Sequence, residues 1–127
     1  MAMIIEIENL FSFLLGKDFK IIKETESNYF SAIYYQRKSL VIYVSVDTME
    51  NIVRIYLMKT LNNEIPFIDD KERVSLLSEA GKKYISIVNK SKIQEADSFF
   101  EKYKNEGENK ELIKQARELY LVIDFLI

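Results

Sequence analysis

The stretch Tyr29–Asp47, which reads YFSAIYYQRKSLVIYVSVD, decides the fold. It contains two runs rich in Val, Ile, Tyr and Phe, and these residue types favour β-strands. A short polar turn around Arg37 and Lys38 separates the two runs. Because a connection of that length joins antiparallel neighbours, we interpret the stretch as a β-hairpin.

Two further segments extend this hairpin into a meander. After the turn DTMEN comes NIVRIYLMKT, residues 51–60, a third run with strong strand propensity. Before the hairpin, FKIIKETES, residues 19–27, has a period of two, and its Lys and Glu residues would protect an edge strand from pairing with another chain. The sequence therefore predicts an antiparallel meander of three or four strands.

A helix is predicted before the meander. Residues 3–15 place five apolar side chains at helical spacing: Ile4, Ile7, Phe11, Leu14 and Leu15. Gly16 follows at a position where glycine commonly ends a helix.

A second helix is predicted after the loop that contains the only proline. Asp69 with Glu72 fits a capping box, and the pattern predicts a helix from about residue 70 to about residue 89. Its buried stripe would consist of Val74, Leu77, Ala80 or Gly81, Tyr84, Ile85 and Val88.

Two more helices complete the chain. Ser91 with Gln94 is another capping-box pattern, which opens a helix over about residues 92–105, and Gly107 would end it. Asn109 can cap a last helix. The apolar residues of that helix recur at helical spacing: Leu112, Ile113, Ala116, Leu119, Tyr120, Ile123 and Leu126 or Ile127.

The order of these elements predicts an α+β fold, with an N-terminal helix, an antiparallel β-meander of three or four strands and three C-terminal helices. The chain has 127 residues, of which 48% are hydrophobic, so a single α+β domain over residues 1–127 can bury a sizeable core. We expect the three C-terminal helices to pack on one face of the sheet.

The side chains that carry most enzyme chemistry are missing. The chain has no His and no Cys, which removes the commonest general base, the commonest metal ligand and every thiol nucleophile. Its three glycines are far apart, so no phosphate-binding loop can be drawn. We therefore predict that the chain is not an enzyme and expect no catalytic residue, metal or cofactor. The remaining catalytic alternative is a carboxylate site for a divalent cation at Asp69, Asp70 and Glu72, residues that also fit a helix start.

Charge and hydropathy bear on partners and location. The chain has 18 basic and 20 acidic residues, and a net charge of −2 lacks the electrostatic footprint of a nucleic-acid binder. No apolar run approaches the roughly 20 residues of a membrane span. Glu6 and Glu8 interrupt the apolar N-terminal run, which is unlike a secretory signal. We expect a cytoplasmic protein that binds neither nucleic acid nor a membrane.

Strand periodicity divides the predicted sheet into two faces. One face is almost wholly aliphatic and would be the core face: Leu40, Ile42, Val44, Val46, Val53, Ile55 and Leu57. The other face carries Tyr43, Arg54 and Tyr56, together with one of Tyr34 or Tyr35. Because Tyr and Arg dominate binding hot spots, we predict a protein-binding surface at Tyr43, Arg54 and Tyr56. The alternative is that the tyrosines pair across strands on a half-exposed sheet and only stabilise it.

A second candidate surface is acidic. In QEADSFFEKYKNEGENKE, residues 94–111, the carboxylates of Glu101, Glu106 and Glu108 could steer a basic protein partner onto the chain. The alternative is a solvated helical surface held by ion pairs four residues apart.

The element order, with SAIYYQRKSLVIYVSVD as the strand hairpin and ARELYLVIDFLI as the closing helix, resembles a class of small bacterial α+β proteins. Some members of that class are immunity proteins of polymorphic toxin systems. The resemblance implies a protein partner, a toxin, which is bound and blocked without catalysis. The alternative is a structural protein that self-associates as a homodimer through its sheet face or its C-terminal helix.

Overall fold

The computed structural model describes residues 3–103 and 109–127. The chain forms two compact units, residues 1–76 and residues 77–127. The first unit contains a helix and a five-stranded antiparallel sheet, and the second unit contains helices. The predicted α+β class is therefore confirmed, with one strand more than the upper predicted number. The packing of the C-terminal helices on one face of the sheet stays a prediction.

The sheet is a simple meander, because each strand pairs with the next strand along the chain. The strands are β1 (Lys20–Glu26), β2 (Phe30–Arg37), β3 (Leu40–Asp47), β4 (Ile52–Lys59) and β5 (Val74–Leu76). The turn between β2 and β3 has only two residues between the paired Arg37 and Leu40, and Lys38 has a left-handed φ of 53°. The Oδ1 atom of Asp47 accepts the backbone N–H groups of Met49 and Glu50, which closes the turn between β3 and β4.

The segment before the second helix departs most from its prediction. The helix was predicted to begin near residue 70 with Asp69 as its cap, and this prediction was wrong. Instead, the Oδ1 atom of Asp70 accepts the N–H groups of Glu72 and Arg73 at 3.1 and 3.3 Å, so the polar residues form a single turn. The chain then pairs as β5 with the outer edge of β4. Ladder hydrogen bonds with that edge outweigh the local preference for a helix.

The N-terminal helix is shorter than predicted. Helix α1 spans Met3–Leu10, and a 3₁₀ helix follows over Ser12–Lys17. The prediction that Gly16 ends the helix was wrong, because the left-handed residue is Asp18, with a φ of 68°. The N–H group of Asp18 donates to the carbonyl of Leu14. A short polar side chain such as Asp tolerates this conformation better than most residues do.

The aliphatic face of the sheet is the side on which α1 and the following turn lie. Its buried side chains include Ile33, Tyr35, Ile42, Val44, Ile55 and Leu57. Phe11, just after α1, is fully buried, and its ring centroid lies 6.4 Å from that of Tyr35. The predicted division of β3 and β4 into an aliphatic face and a mixed face is confirmed by this register.

Tyr35 has a buried hydroxyl group that forms no hydrogen bond with any described residue. Burial, and then the charges of Glu8 and Glu24, raise the pKa of Tyr35, so the phenol stays protonated. Because an unsatisfied buried polar group is costly, we predict that Tyr35→Phe stabilises the sheet unit by about 1 kcal/mol. Urea unfolding followed by circular dichroism measures this change. A loss of stability would instead indicate that the hydroxyl has a hydrogen-bonding partner.

Carboxylates line the side of β1 that faces α1. The backbone N–H of Ile4 donates to the Oε2 atom of Glu26 at 3.3 Å. Burial, a hydrogen bond with Glu8 and the charges of Glu8 and Glu26 raise the pKa of Glu24. Deprotonating Glu24 in the folded chain therefore places like charges side by side.

This raised pKa makes stability depend on pH. The folded-state pKa of Glu24 exceeds its unfolded-state pKa, so the protonated carboxyl contributes to the stability of the folded state. This contribution is complete below the unfolded-state pKa and is lost as the pH rises through the folded-state pKa. We predict that Glu24→Gln raises the urea midpoint at pH 7, and that the gap to the wild type narrows as the pH falls to about 4. Glu64→Gln, at an exposed loop position, is the control. An equal gap at both pH values would contradict the prediction.

The described part of the second unit, residues 77–103 and 109–127, contains three α-helices, two of which continue into 3₁₀ turns. They are α2 (Leu77–Tyr84, then Ile85–Ile87), α3 (Lys90–Phe100, then Glu101–Tyr103) and α4 (Lys110–Leu126). Asn89 caps α3 in place of the predicted Ser91, because its Oδ1 atom accepts the N–H of Lys92 at 2.8 Å. Asn109 precedes α4 as predicted, but its side chain makes no capping hydrogen bond. The predicted helix end at Gly107 lies outside the described residues.

Helix α4 buries most of its predicted stripe, and two further residues join it. The buried residues are Leu112, Ala116, Leu119, Tyr120, Leu121, Val122 and Ile123. Polar contacts fix α4 against α3: the Tyr120 hydroxyl donates to the Oε1 atom of Glu95 at 2.6 Å, and Arg117 donates to the Oδ1 atom of Asp97. Phe99 and Phe100 pack their rings against Tyr120.

Candidate functional site

Three tyrosines form a row across the middle of the sheet. In the strand register, Tyr34 of β2 lies opposite Tyr43 of β3, which lies opposite Tyr56 of β4. The ring centroids of Tyr34 and Tyr43 are 4.4 Å apart, and those of Tyr43 and Tyr56 are 6.0 Å apart. The sequence predicted that either Tyr34 or Tyr35 lies on this face, and the strand register shows that it is Tyr34. We call this side of the sheet the tyrosine face; it comprises Lys20, Lys23, Thr25, Phe30, Ala32, Tyr34, Gln36, Val41, Tyr43, Ser45, Asp47, Ile52, Arg54, Tyr56, Met58, Val74 and Leu76.

The tyrosine row has a buried centre and more open flanks. Tyr43 is only 7% exposed and belongs to a cluster with three other buried residues of the face, Ala32, Val41 and Met58. Tyr34, Tyr56 and Val74 are partly buried and pack against this cluster. A partner that binds the tyrosine face would therefore contact Tyr34 and Tyr56, whereas Tyr43 supports them from between.

The hydroxyl group at the centre of the row, that of Tyr43, stays neutral at physiological pH. Burial, and then a hydrogen bond with Tyr34 and the neighbouring Tyr56, raise the pKa of Tyr43 to about 12. A phenol with such a pKa is not a base near neutral pH, and it remains able to donate a hydrogen bond. Tyr43 is therefore suited to hydrogen bonding and not to acting as a general base.

Three cationic side chains, Lys20, Lys23 and Arg54, lie on the tyrosine face. Arg54 of β4 is exposed, and its carbonyl oxygen accepts a hydrogen bond from Ser45 Oγ at 3.2 Å, which fixes the backbone while the guanidinium stays outside. The Nζ atom of Lys23 lies 5.7 Å from the ring centroid of Tyr34, within range of a cation–π contact. Lys20 is exposed at the end of the same strand.

An irregularity in β1 determines which of its charges face the tyrosines. The register shifts between Ile21 and Lys23, so Lys23 lies opposite Tyr34. Alternation from there turns Glu24 and Glu26 to the aliphatic face. The shift therefore separates the lysines of β1 from its glutamates.

The predicted protein-binding residues fall in three different situations. Tyr43, Arg54 and Tyr56 are on one face as predicted, although Tyr43 is largely buried. Glu101 is exposed in the 3₁₀ turn that follows α3 in the second unit. Glu106 and Glu108 lie outside the described residues. Whether any of these residues binds a partner stays a prediction.

Comparison of the chain with protein-family models, with curated proteins and with solved structures found no match in any of the three. We therefore infer function from the geometry and chemistry of the surfaces alone.

Sequence reasoning missed two contributors to the tyrosine face. Lys23 was assigned only to an edge strand, because nothing in FKIIKETES marks the register shift that turns it toward Tyr34. Leu76 was predicted to be helical, but in β5 it lies opposite Tyr56 and is exposed. The β-branched Val74 within that segment was the available indication of a strand.

The loop between β4 and β5, residues 60–73, is a further exposed surface of the sheet unit. Asn62 and Asn63 have left-handed φ values of 52° and 64°, and the backbone groups of Leu61 and Glu64 hydrogen bond to each other around them. The loop exposes four large apolar side chains: Leu61, Ile65, Phe67 and Ile68. Phe67 is 86% exposed. Exposed apolar groups of this kind are typical of contact surfaces.

Metal and membrane chemistry can be considered for the described part of the chain. No group of three or more Asp or Glu side chains within residues 3–103 and 109–127 is arranged to hold a metal ion. The turn at Asp70 uses its carboxylate for backbone N–H groups. In these same ranges, no helix has the length and apolar character needed to cross a bilayer.

Proposed function

We propose that this chain is a non-enzymatic protein-binding module that acts as an immunity-type inhibitor, binding a partner protein through its tyrosine face. The observation that carries the proposal is the combination of half-buried Tyr34 and Tyr56 with the exposed guanidinium of Arg54 on one sheet face. Tyr and Arg supply large contact areas and directional hydrogen bonds at the centre of protein interfaces.

The rigidity of this face supports the proposal. Tyr34 and Tyr56 are held by ring contacts with Tyr43, so little side-chain entropy is lost when a partner binds them. The sheet backbone beneath them is paired on both sides, which keeps the spacing of the two rings fixed. A surface that is ordered before binding favours tight and specific recognition.

Self-association through the same face is the alternative, and its charges argue against it. Two copies that met face to face would bring Lys20, Lys23 and Arg54 of one copy toward the same cations of the other. Pairing of sheet edges is also disfavoured, because β1 is rich in Lys and Glu and has a register shift, and β5 has only three residues. Size-exclusion chromatography with light scattering separates a monomer from a dimer.

Affinity capture from a lysate of the native host tests the proposal. The baits are the full chain, its Arg54→Ala variant and its Lys59→Ala variant. Lys59 is the matched control, because it is an exposed cation on the same strand and faces the opposite side. We expect a partner that the wild type and Lys59→Ala retain and Arg54→Ala loses. A bait that captures no specific protein, or a partner indifferent to Arg54→Ala, would contradict the proposal.

The inhibitory role has its own test. We expect the captured partner to arrest growth when it is expressed alone, and co-expression of this chain to restore growth. Arg54→Ala should restore growth less well than Lys59→Ala does. A partner without toxicity would remove the immunity role and leave a binding module of another kind. A toxin-like reading frame next to the gene for this chain would agree with the immunity role.

A further inference from the structure

The tyrosine face carries an excess of positive charge. Lys20, Lys23 and Arg54 are exposed on it, and none of the three forms an ion pair with any residue in 3–103 or 109–127. The one carboxylate that the described strands place on the same side is Asp47. Its Oδ1 atom is engaged by the N–H groups of Met49 and Glu50. The face is therefore cationic although the whole chain has a net charge of −2.

We propose that the tyrosine face recognises an acidic polypeptide surface, whose carboxylates pair with Arg54 and Lys23 while its apolar groups cover Tyr34 and Tyr56. This inference rests on the proposed binding function and adds the chemical class of the partner. A guanidinium holds a carboxylate with two parallel hydrogen bonds, and the phenolic hydroxyls beside it can donate further ones. Because Lys23 and Arg54 form no ion pair with a described residue, they have no such pair to break before they bind.

The contrast between the cationic tyrosine face and the negative net charge of the chain would also orient an acidic partner as it approaches. An acidic partner is repelled by the overall negative charge of this chain and attracted by the cationic tyrosine face. Such complementarity mainly raises the association rate and selects the correct face. It predicts binding that weakens as salt screens the charges.

Single-stranded nucleic acid is the other polyanion that binds sheets bearing aromatic residues, and the geometry does not favour it. Stacking of bases needs open ring faces. Here Tyr43 is 7% exposed between Tyr34 and Tyr56, so the centre of the row offers no ring face to a base. Three cations are also few, because a typical nucleic-acid binder neutralises about 6–10 phosphates.

A random dodecapeptide library displayed on phage tests the partner class. The library is selected against the immobilised full chain, against a Lys23→Glu/Arg54→Glu variant and against an Arg37→Glu/Lys59→Glu variant. The last is the matched control, because it reverses one Arg and one Lys on the opposite face of the same sheet. Circular dichroism first establishes that each variant is folded. If Lys23→Glu/Arg54→Glu, the reversal variant, does not fold, Lys23→Ala/Arg54→Ala replaces it.

We expect the wild type and the control to enrich peptides that combine Asp or Glu with apolar residues. Fluorescence anisotropy should show at least about tenfold weaker binding of these peptides to Lys23→Glu/Arg54→Glu, and weaker binding to the wild type at higher salt. Neutral or basic peptides, acidic peptides that bind the reversal variant equally well, or no enrichment would overturn the inference. Oligothymidine that binds the wild type and is lost with the reversal variant would also overturn it, in favour of nucleic acid.

The two proposals fail in different ways. A captured protein that depends on Arg54 but has a neutral or basic contact surface overturns the acidic-partner inference and leaves the binding function standing. Absence of any captured protein overturns the binding function itself. An acidic captured protein whose affinity falls with Lys23→Glu/Arg54→Glu, and not with the control variant, supports both.

Discussion

Tyr43→Ala is expected to destabilise the sheet unit by about 3 kcal/mol, although the residue belongs to the candidate binding face. Tyr43 is 7% exposed and packs between Tyr34 and Tyr56, so removing its ring leaves a cavity in the buried cluster with Ala32, Val41 and Met58. Hydrogen–deuterium exchange of peptides from β2, β3 and β4 measures the loss within the sheet, without the assumption that the whole chain unfolds in one step.

Two companion variants separate packing from other effects. Tyr43→Phe keeps the ring and loses the hydrogen bond with Tyr34, so we expect a loss of about 1 kcal/mol and unchanged capture of the partner. Tyr29→Ala removes a tyrosine that is 56% exposed before β2, and its effect should stay within about 0.5 kcal/mol. If Tyr43→Ala were as mild as Tyr29→Ala, the ring would not be part of the core of this face.

Phe11→Ala is expected to have the largest effect, a loss of about 4 kcal/mol from the sheet unit. Phe11 is fully buried, and its ring contacts those of Phe13 and Tyr35. Its backbone N–H also donates to the carbonyl of Ile7, so it ends α1 while anchoring the helix to the aliphatic face. Without the ring, α1 would lose a fully buried apolar contact directly after its last turn.

Amide exchange in α1 and urea unfolding measure this effect. Helices shorter than about 12 residues are marginal in water, so α1 should exchange faster than the strands once its anchor is removed. Leu15→Ala is the control, because this apolar residue of the same segment is 52% exposed and should cost less than about 1 kcal/mol. Equal costs for Phe11→Ala and Leu15→Ala would show that α1 is not anchored through Phe11.

Much of the sheet could be predicted from the sequence, because its strands are joined by short turns. The runs around Arg37 and Lys38 have strong strand propensity, and a two-residue turn sets the pairing. Once Arg37 pairs with Leu40, Tyr34 must pair with Tyr43. The sequence could not choose between Tyr34 and Tyr35, because one residue more or less in the turn reverses the faces.

The missed features depend on partners that are distant in sequence. The segment after Asp70 has polar residues that fit a helix cap, and only the available edge of β4 makes it a strand. The exposure of Leu76 follows from that pairing. The burial of Tyr43 was missed for a similar reason, because its neighbours Ala32 and Met58 come from two other strands. Local patterns hold no information about such contacts.

The register shift in β1 has a consequence for how partner choice could change in evolution. If strict alternation ran through Ile22, the glutamates Glu24 and Glu26 would face the tyrosines, and Lys23 would turn away. The sign of the charge beside Tyr34 thus depends on whether β1 accommodates Ile22 as an extra, unpaired residue. Loss of Ile22 would keep Lys23 opposite Tyr34, whereas a strand that kept Ile22 and paired it regularly would bring two carboxylates to the tyrosine face beside Arg54.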